Sequence, residues 1–170
     1  MFVREPDRIY PTETESRVMI RFQDCDPLQH LNNSKYFDYF FNAREDQLAK
    51  LYNFNLGQLY REFNTAWVAY QHQIAYVKPA YFSEWVRINS RVIYFDTDTI
   101  VVEYFMTDDQ KKHLKTVFWS TLKYVNALTG KRESHHPAVL DFLGTILHPD
   151  IKFEQLNFNN RIKEIKQEAL

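Results

Sequence analysis

Residues 21–36 read R-F-Q-D-C-D-P-L-Q-H-L-N-N-S-K-Y, from Arg21 to Tyr36, and this segment decides how the rest of the chain is read. Just upstream, residues 17–23 alternate, with Val18, Ile20 and Phe22 on one side and Arg17, Met19 and Arg21 on the other. That is the period of a half-buried strand. Residues 24–33 are polar and contain Pro27, a loop composition. Downstream, Phe37, Phe40, Phe41, Leu48 and Leu51 recur at helical spacing. A helix is therefore predicted over 34–52, with Asn33 or Ser34 as its cap. Two carboxylates, a histidine and two asparagines thus crowd a loop between a buried strand and a helix start.

Working outward, residues 1–16 hold Pro6 and Pro11 without periodicity and read as an extended arm. Past the helix, Gly57 breaks the pattern and 58–63 can form a second short helix. Four β-type runs then cover 67–77, 85–95, 99–107 and 113–126, joined in part by the polar turns Asp96-Thr97-Asp98 and Asp108-Asp109-Gln110. These joints predict an antiparallel meander. Residues 137–146 and 160–170 read as helices. The organisation is an arm (1–16), a main domain (17–150) and an extension with a short helix (151–170). The fold class is α+β, a sheet with one long helix on one face.

Composition narrows the function. The chain has 170 residues, 20.6 kDa, with 21 Lys plus Arg against 22 Asp plus Glu. A net charge of −1 gives no electrostatic basis for nucleic-acid binding. No run is long and apolar enough for a membrane span, and the amino terminus has no apolar signal region, so a cytoplasmic protein is expected. Three glycines leave no phosphate-cradling loop, and no cofactor is expected. Aromatic residues make up 16% of the chain, which suggests a bulky core or a large apolar interface. A homodimer or tetramer is expected, paired edge to edge through the third long strand or a neighbour of it.

The loop itself has two readings. Asp24 and Asp26 can be turn residues, His30 can close the turn, and Asn32-Asn33 can cap the helix. Alternatively, a thioester or ester carbonyl set at the helix start would meet unpaired N–H groups, with a carboxylate at hand to attack it or to activate water. An oxyanion donor of that kind is worth roughly 3–4 kcal/mol. Elsewhere, Gln71, His72 and Gln73 interrupt an apolar strand, fit for an acyl tunnel or a subunit interface. His135, His136 and His148 lack metal-ligand spacing, so no metal is expected. Cys25 beside two aspartates makes a poor nucleophile.

Asp24-x-Asp26-Pro27, followed by Leu31-Asn32-Asn33-x-x-Tyr36, resembles the hotdog-fold acyl thioesterases. The nearest groups are the hydroxybenzoyl-CoA thioesterase-like acyl-CoA hydrolases and the acyl-ACP thioesterases. Tyr76-x-x-Pro79-Ala80 and the stretch from Tyr124-Val125-Asn126 through Thr129-Gly130-Lys131 to Pro137 fit as well, so the resemblance covers 17–143. It implies a curved antiparallel sheet wrapped around one long central helix. It also implies hydrolysis of acyl-CoA or acyl-ACP, with a silent acyl-binding protein as the alternative. By this resemblance Asp26 is the catalytic carboxylate, as nucleophile or base, His30 assists it, and the Asn33 N–H is the oxyanion donor. Asn32, Tyr36 and His72 are expected at the substrate. Leu28 stands where the acyl-ACP branch has an assisting asparagine. Arg44 falls on a family arginine, and Phe41 replaces an acidic residue. The turn that carries basic CoA contacts in one branch is here acidic, Asp96-Thr97-Asp98. Lys111, Lys112, Lys115, Lys131 and Arg132 are the alternative phosphate partners.

Overall fold

The computed structural model describes Glu5 and residues 7–168. Five residues of the expected arm (1–4 and 6) and the last two of the expected terminal helix lie outside them. The described elements run β1 (Thr14–Met19), α1 (Tyr36–Tyr52), α2 (Gly57–Phe63), β2 (Thr65–Tyr76), β3 (Trp85–Phe95), β4 (Thr99–Asp108), β5 (Leu114–Asn126), α3 (Pro137–Ile146) and α4 (Phe158–Glu168).

The first strand is displaced from the reading above. It begins at Thr14, where the Thr14 hydroxyl donates to Gln47 on α1 at 2.7 Å, and ends at Met19. The alternation then breaks, because Asp24 N–H and Cys25 N–H bond back to Arg21 and Phe22 carbonyls and close a 3-10 turn. Phe22, expected on the buried side, is 75% exposed and packs edge-on against Phe82.

All pairings are antiparallel, in the order β1-β3-β4-β5-β2. β3, β4 and β5 form the expected meander. β2 does not join it through β3. The chain leaves β1 at one edge, α1 and α2 intervene, and β2 lands at the opposite edge on β5. The third long strand, β4, is therefore central, with both sides hydrogen-bonded. It and its neighbours are closed to the edge pairing expected of them, and β2 is the long strand left at an edge, with Val68 and Tyr70 exposed.

The sheet curves around α1, as the expected hotdog architecture requires. Phe40 and Leu48 of α1 pack on Ile88, Tyr104, Met106 and Phe118 of the sheet, with Val139 and Leu143 of α3 closing the core. Phe41 and Leu51, read as part of the same stripe, lie at its margin and are partly exposed. The outer face carries Ile93, Val101, Phe105, Val117 and Trp119, covered by Phe158 and Ile165 of α4. β4 is thus buried on both faces, which explains the apolar residues on either side of Glu103. Its buried carboxylate, Glu103, accepts from Arg91 Nε at 2.7 Å, Arg161 Nε at 3.0 Å and Trp119 Nε1 at 2.8 Å. Among the described residues no helix is long and apolar enough to cross a membrane.

Candidate active site

The loop between β1 and α1 is a tight turn built on Asp26. Its N–H donates to the His30 carbonyl at 2.8 Å, and its carbonyl accepts from Gln29 N–H at 2.9 Å. Between them Gln29 takes φ +62°, in the left-handed region. One carboxylate oxygen, Oδ1, accepts from Leu28 N–H at 2.9 Å and His30 N–H at 3.0 Å. The other oxygen takes no hydrogen bond from the described residues. Further bonds, Leu31 N–H to the Ala80 carbonyl and Phe82 N–H to the Gln29 carbonyl, pin the turn to residues 79–84. That segment is itself fixed by the buried Lys115 ammonium, which bonds Pro79 O at 2.9 Å and Glu84 at 2.7 Å.

Asp24 has a different use. Its carboxylate accepts from the Tyr39 hydroxyl at 2.8 Å, and that hydroxyl accepts from Arg21 N–H at 2.9 Å. Asp24 therefore ties the loop to the first turns of α1. Burial pushes the Tyr39 phenol up to about 12, and the Asp24 carboxylate beside it adds to the shift. Burial, then the charges of Asp24 and Asp26, likewise pushes the Cys25 thiol up.

The 3-10 turn of residues 33–35 that leads into α1 is capped by Asn32, while α1 itself has no side-chain cap at Asn33, Ser34 or Lys35. Asn32 Oδ1 accepts from Ser34 N–H at 3.0 Å and from the Ser34 hydroxyl at 2.8 Å, because Asn32 keeps the extended backbone that a cap needs. Asn33 is exposed, and its N–H has no partner among the described residues; its carbonyl accepts from the Tyr76 hydroxyl at 3.1 Å. Tyr36 is buried, with its hydroxyl accepting from Ala80 N–H at 3.3 Å and its ring edge-on to Tyr76. The His30 ring lies T-shaped on Tyr81 at 5.0 Å and makes no side-chain hydrogen bond to the described residues.

Asp26, His30, Asn32, Asn33 and Tyr36 thus share one end of the fold. His72 stands apart on β2, four residues beyond Tyr76 and about 13 Å along the strand. Its ring packs on Phe37, Phe41 and Phe118 while the residue stays exposed at one side, and this partial desolvation holds its pKa below the ordinary histidine value. Phe41 also lines a cavity of about 220 Å³ under α1. Sequence reading missed Tyr39 and Tyr81, whose partners lie across the fold.

Most of the anticipated phosphate partners are engaged internally. Lys111 pairs with Glu15 at 2.6 Å, Lys115 with Glu84, and Arg132 with Asp98 at 2.5 Å. The Thr99 hydroxyl, then Arg132 and Lys123, holds the Asp98 carboxyl below its usual range. His135 accepts from Trp67 Nε1 at 2.9 Å, and His136 caps α3. Among the described residues no group of three or more His, Cys, Asp or Glu is placed to hold a metal.

The fold has counterparts among solved structures. The YbaW probable thioesterase from Escherichia coli superposes with a TM-score of 0.69 at 21% identity, covering 79% of this chain and 98% of its own. Slr0204, a 1,4-dihydroxy-2-naphthoyl-CoA thioesterase from Synechocystis, gives 0.71 at 12% identity over 81% and 99%. The 12:0-ACP thioesterase from Umbellularia californica gives 0.74 at 10% identity, covering 86% of this chain and 54% of that one. At such identities the likeness shows the fold. No match was found among curated proteins. The family model of the thioesterase-like superfamily, however, matches residues 20–143, a span that takes in the Asp26 turn, α1 and all of the sheet but β1. On that match and this architecture, the chain is a hotdog protein and belongs to the thioesterase-like superfamily.

Proposed function

We propose that the protein hydrolyses an acyl thioester, carried on CoA or on an acyl carrier protein, to the free acid and the thiol. One observation carries this reading: Asp26 is held by backbone bonds to one oxygen and keeps the other unengaged, in a loop that ends at the unpaired Asn33 N–H. With the thioester carbonyl at Asn33, the free Asp26 oxygen takes a proton from water as the water oxygen bonds to the carbonyl carbon. The carbonyl electron pair moves onto oxygen and is met by the Asn33 N–H. Collapse breaks the C–S bond, and the thiolate recovers the proton from Asp26. His30, with its ring nitrogens unbonded, orients the water or the leaving sulfur. The Tyr36 ring supports the helix start, the Asn32 amide is exposed beside it, and His72 lines the acyl path along α1.

The turn-capping work of Asp26 Oδ1 supports a second reading, a non-catalytic acyl-binding protein. A panel of acyl-CoA and acyl-ACP thioesters with free-thiol detection separates the two. Thiol release that is lost in Asp26→Asn sustains hydrolysis. Saturable binding without thiol release replaces it with the binding role.

A further inference from the structure

The cavity under α1 lies between the middle turns of that helix, the sheet and α3, and its walls are largely apolar, among them Leu48, Trp67 and Phe142. Beside Glu45, which is exposed, two side chains break the pattern. Tyr104 is only 2% exposed, yet its hydroxyl makes no hydrogen bond to the described residues. The oxygen is not fully sealed, so it is open to the cavity that the residue lines. Burial pushes its pKa to about 12, so it stays a neutral O–H donor.

Arg44 is the second. It is 8% exposed, and a guanidinium carries five N–H donors. Its Nη1 donates to the Ser90 hydroxyl at 3.2 Å, and its guanidinium faces the Tyr52 ring at 5.5 Å and interacts with the Tyr52 hydroxyl, both neutral partners. No ion pair joins it to a carboxylate among the described residues; Glu45, on the same cavity wall, is exposed at the rim. The fold provides its own comparison. Arg91 and Arg161, buried as deeply, each hold Glu103, at 2.7 Å and 3.0 Å. A buried cation without a counter-charge is costly, and an anionic ligand relieves that cost.

The cavity also sits where an acyl group would extend. At 1.5 Å per residue, Arg44 lies roughly 16 Å down the helix from Asn33. Phe37, His72 and Phe41 line the interval, with ring centroids 5.5 Å and 5.9 Å from His72.

We infer that the acyl group accepted by this protein ends in a carboxylate, bound by the Arg44 fork and the Tyr104 hydroxyl at the far end of an otherwise apolar pocket. This rests on the thioester-hydrolase reading and names its substrate class: ω-carboxyacyl thioesters. The planar guanidinium matches a carboxylate through two parallel bonds, a geometry that lysine lacks.

The test pairs turnover with binding. Octanoyl-CoA and its ω-carboxy counterpart are compared as substrates, and octanoate and octanedioate as ligands by calorimetry. The wild-type chain should favour the ω-carboxy thioester by about tenfold or more in kcat/KM, and Arg44→Met should erase that ratio. Tyr104→Phe, which removes one oxygen and keeps the ring, should shrink it severalfold. Hydrolysis of octanoyl-CoA without preference for its ω-carboxy counterpart overturns the pocket assignment and leaves the hydrolase reading standing. No turnover of either thioester, with octanedioate binding that Arg44→Met abolishes, keeps the pocket and removes the hydrolase. If Arg44→Met does not fold, Tyr104→Phe decides: an unchanged substrate ratio overturns the assignment.

Discussion

One oxygen of the Asp26 carboxylate accepts the backbone N–H of His30 at 3.0 Å, so the proposed catalytic group is also the clasp of its own turn. The two roles separate by substitution. Asp26→Asn keeps an acceptor oxygen for Leu28 and His30 and should fold like the wild type, while kcat falls roughly a hundred- to ten-thousandfold. Asp26→Ala should lose the same activity and, in addition, ~1–2 kcal/mol of stability. Urea midpoints measured beside thiol release check the pair; an active Asp26→Asn would end the proposed chemistry.

His30 contributes through its ring nitrogens or through packing on Tyr81. We expect the nitrogens to matter. His30→Phe, which retains an aromatic face for Tyr81, should lose about ten- to a hundredfold in kcat/KM, as His30→Ala does. Wild-type rates in the Phe variant would reduce His30 to a packing residue.

Tyr39 gives a pH signature. Burial, with Asp24 adding to it, raises its phenol from 10 to about 12 in the folded chain, so folding favours the protonated form. That stability is complete below pH 10 and drains away as pH rises toward 12. Tyr39→Phe should start less stable at neutral pH, having lost the Arg21 and Asp24 bonds, and should fall less steeply through the alkaline window. Melting temperatures followed from neutral pH to pH 12 test this; identical slopes would contradict it.

Glu103 serves two buried arginines. Glu103→Ala should cost about 1–3 kcal/mol, because it removes the buried acceptor shared by Arg91, Arg161 and Trp119, while Glu13, Glu164 and Glu168 still face the two cations. Glu103→Gln, which keeps an acceptor, should cost less. Denaturant midpoints decide, and a silent Ala variant would mean that solvent reaches the cluster.

β2 is the longer of the two edge strands. We expect a homodimer through it, and the double change Val68→Glu, Tyr70→Glu should dissociate the pair by setting like charges along the seam. Light scattering reads the outcome directly: wild-type chain running at 20.6 kDa would refute the dimer.

Where periodicity is local, the sequence carried the fold well. Residues 85–95 and 137–146 fall on β3 and α3 to the residue, and α1 differs only in its first turn. The passage of β2 to the far edge was invisible, because it depends on how a helix crosses a sheet rather than on any pattern within β2. The loop from Asp24 to Asn33 announced itself by composition, and Asp26, His30 and Asn33 do fall together. Which aspartate is tied to Tyr39 and which keeps an oxygen free could not be read, since that turns on the left-handed Gln29 and on bonds to residues 79–84. Arg44 and Tyr104 come from elements far apart in sequence and meet only in the folded chain.

The outer face of the sheet is roofed by α4, with Phe158, Ile162 and Ile165 seated on Val101, Phe105 and Trp119. Two such sheets could otherwise lie back to back. Here the chain's own tail holds that ground, so any tetramer must be assembled without the sheet's back. A truncation that removed the tail would turn a sealed wall into an adhesive one.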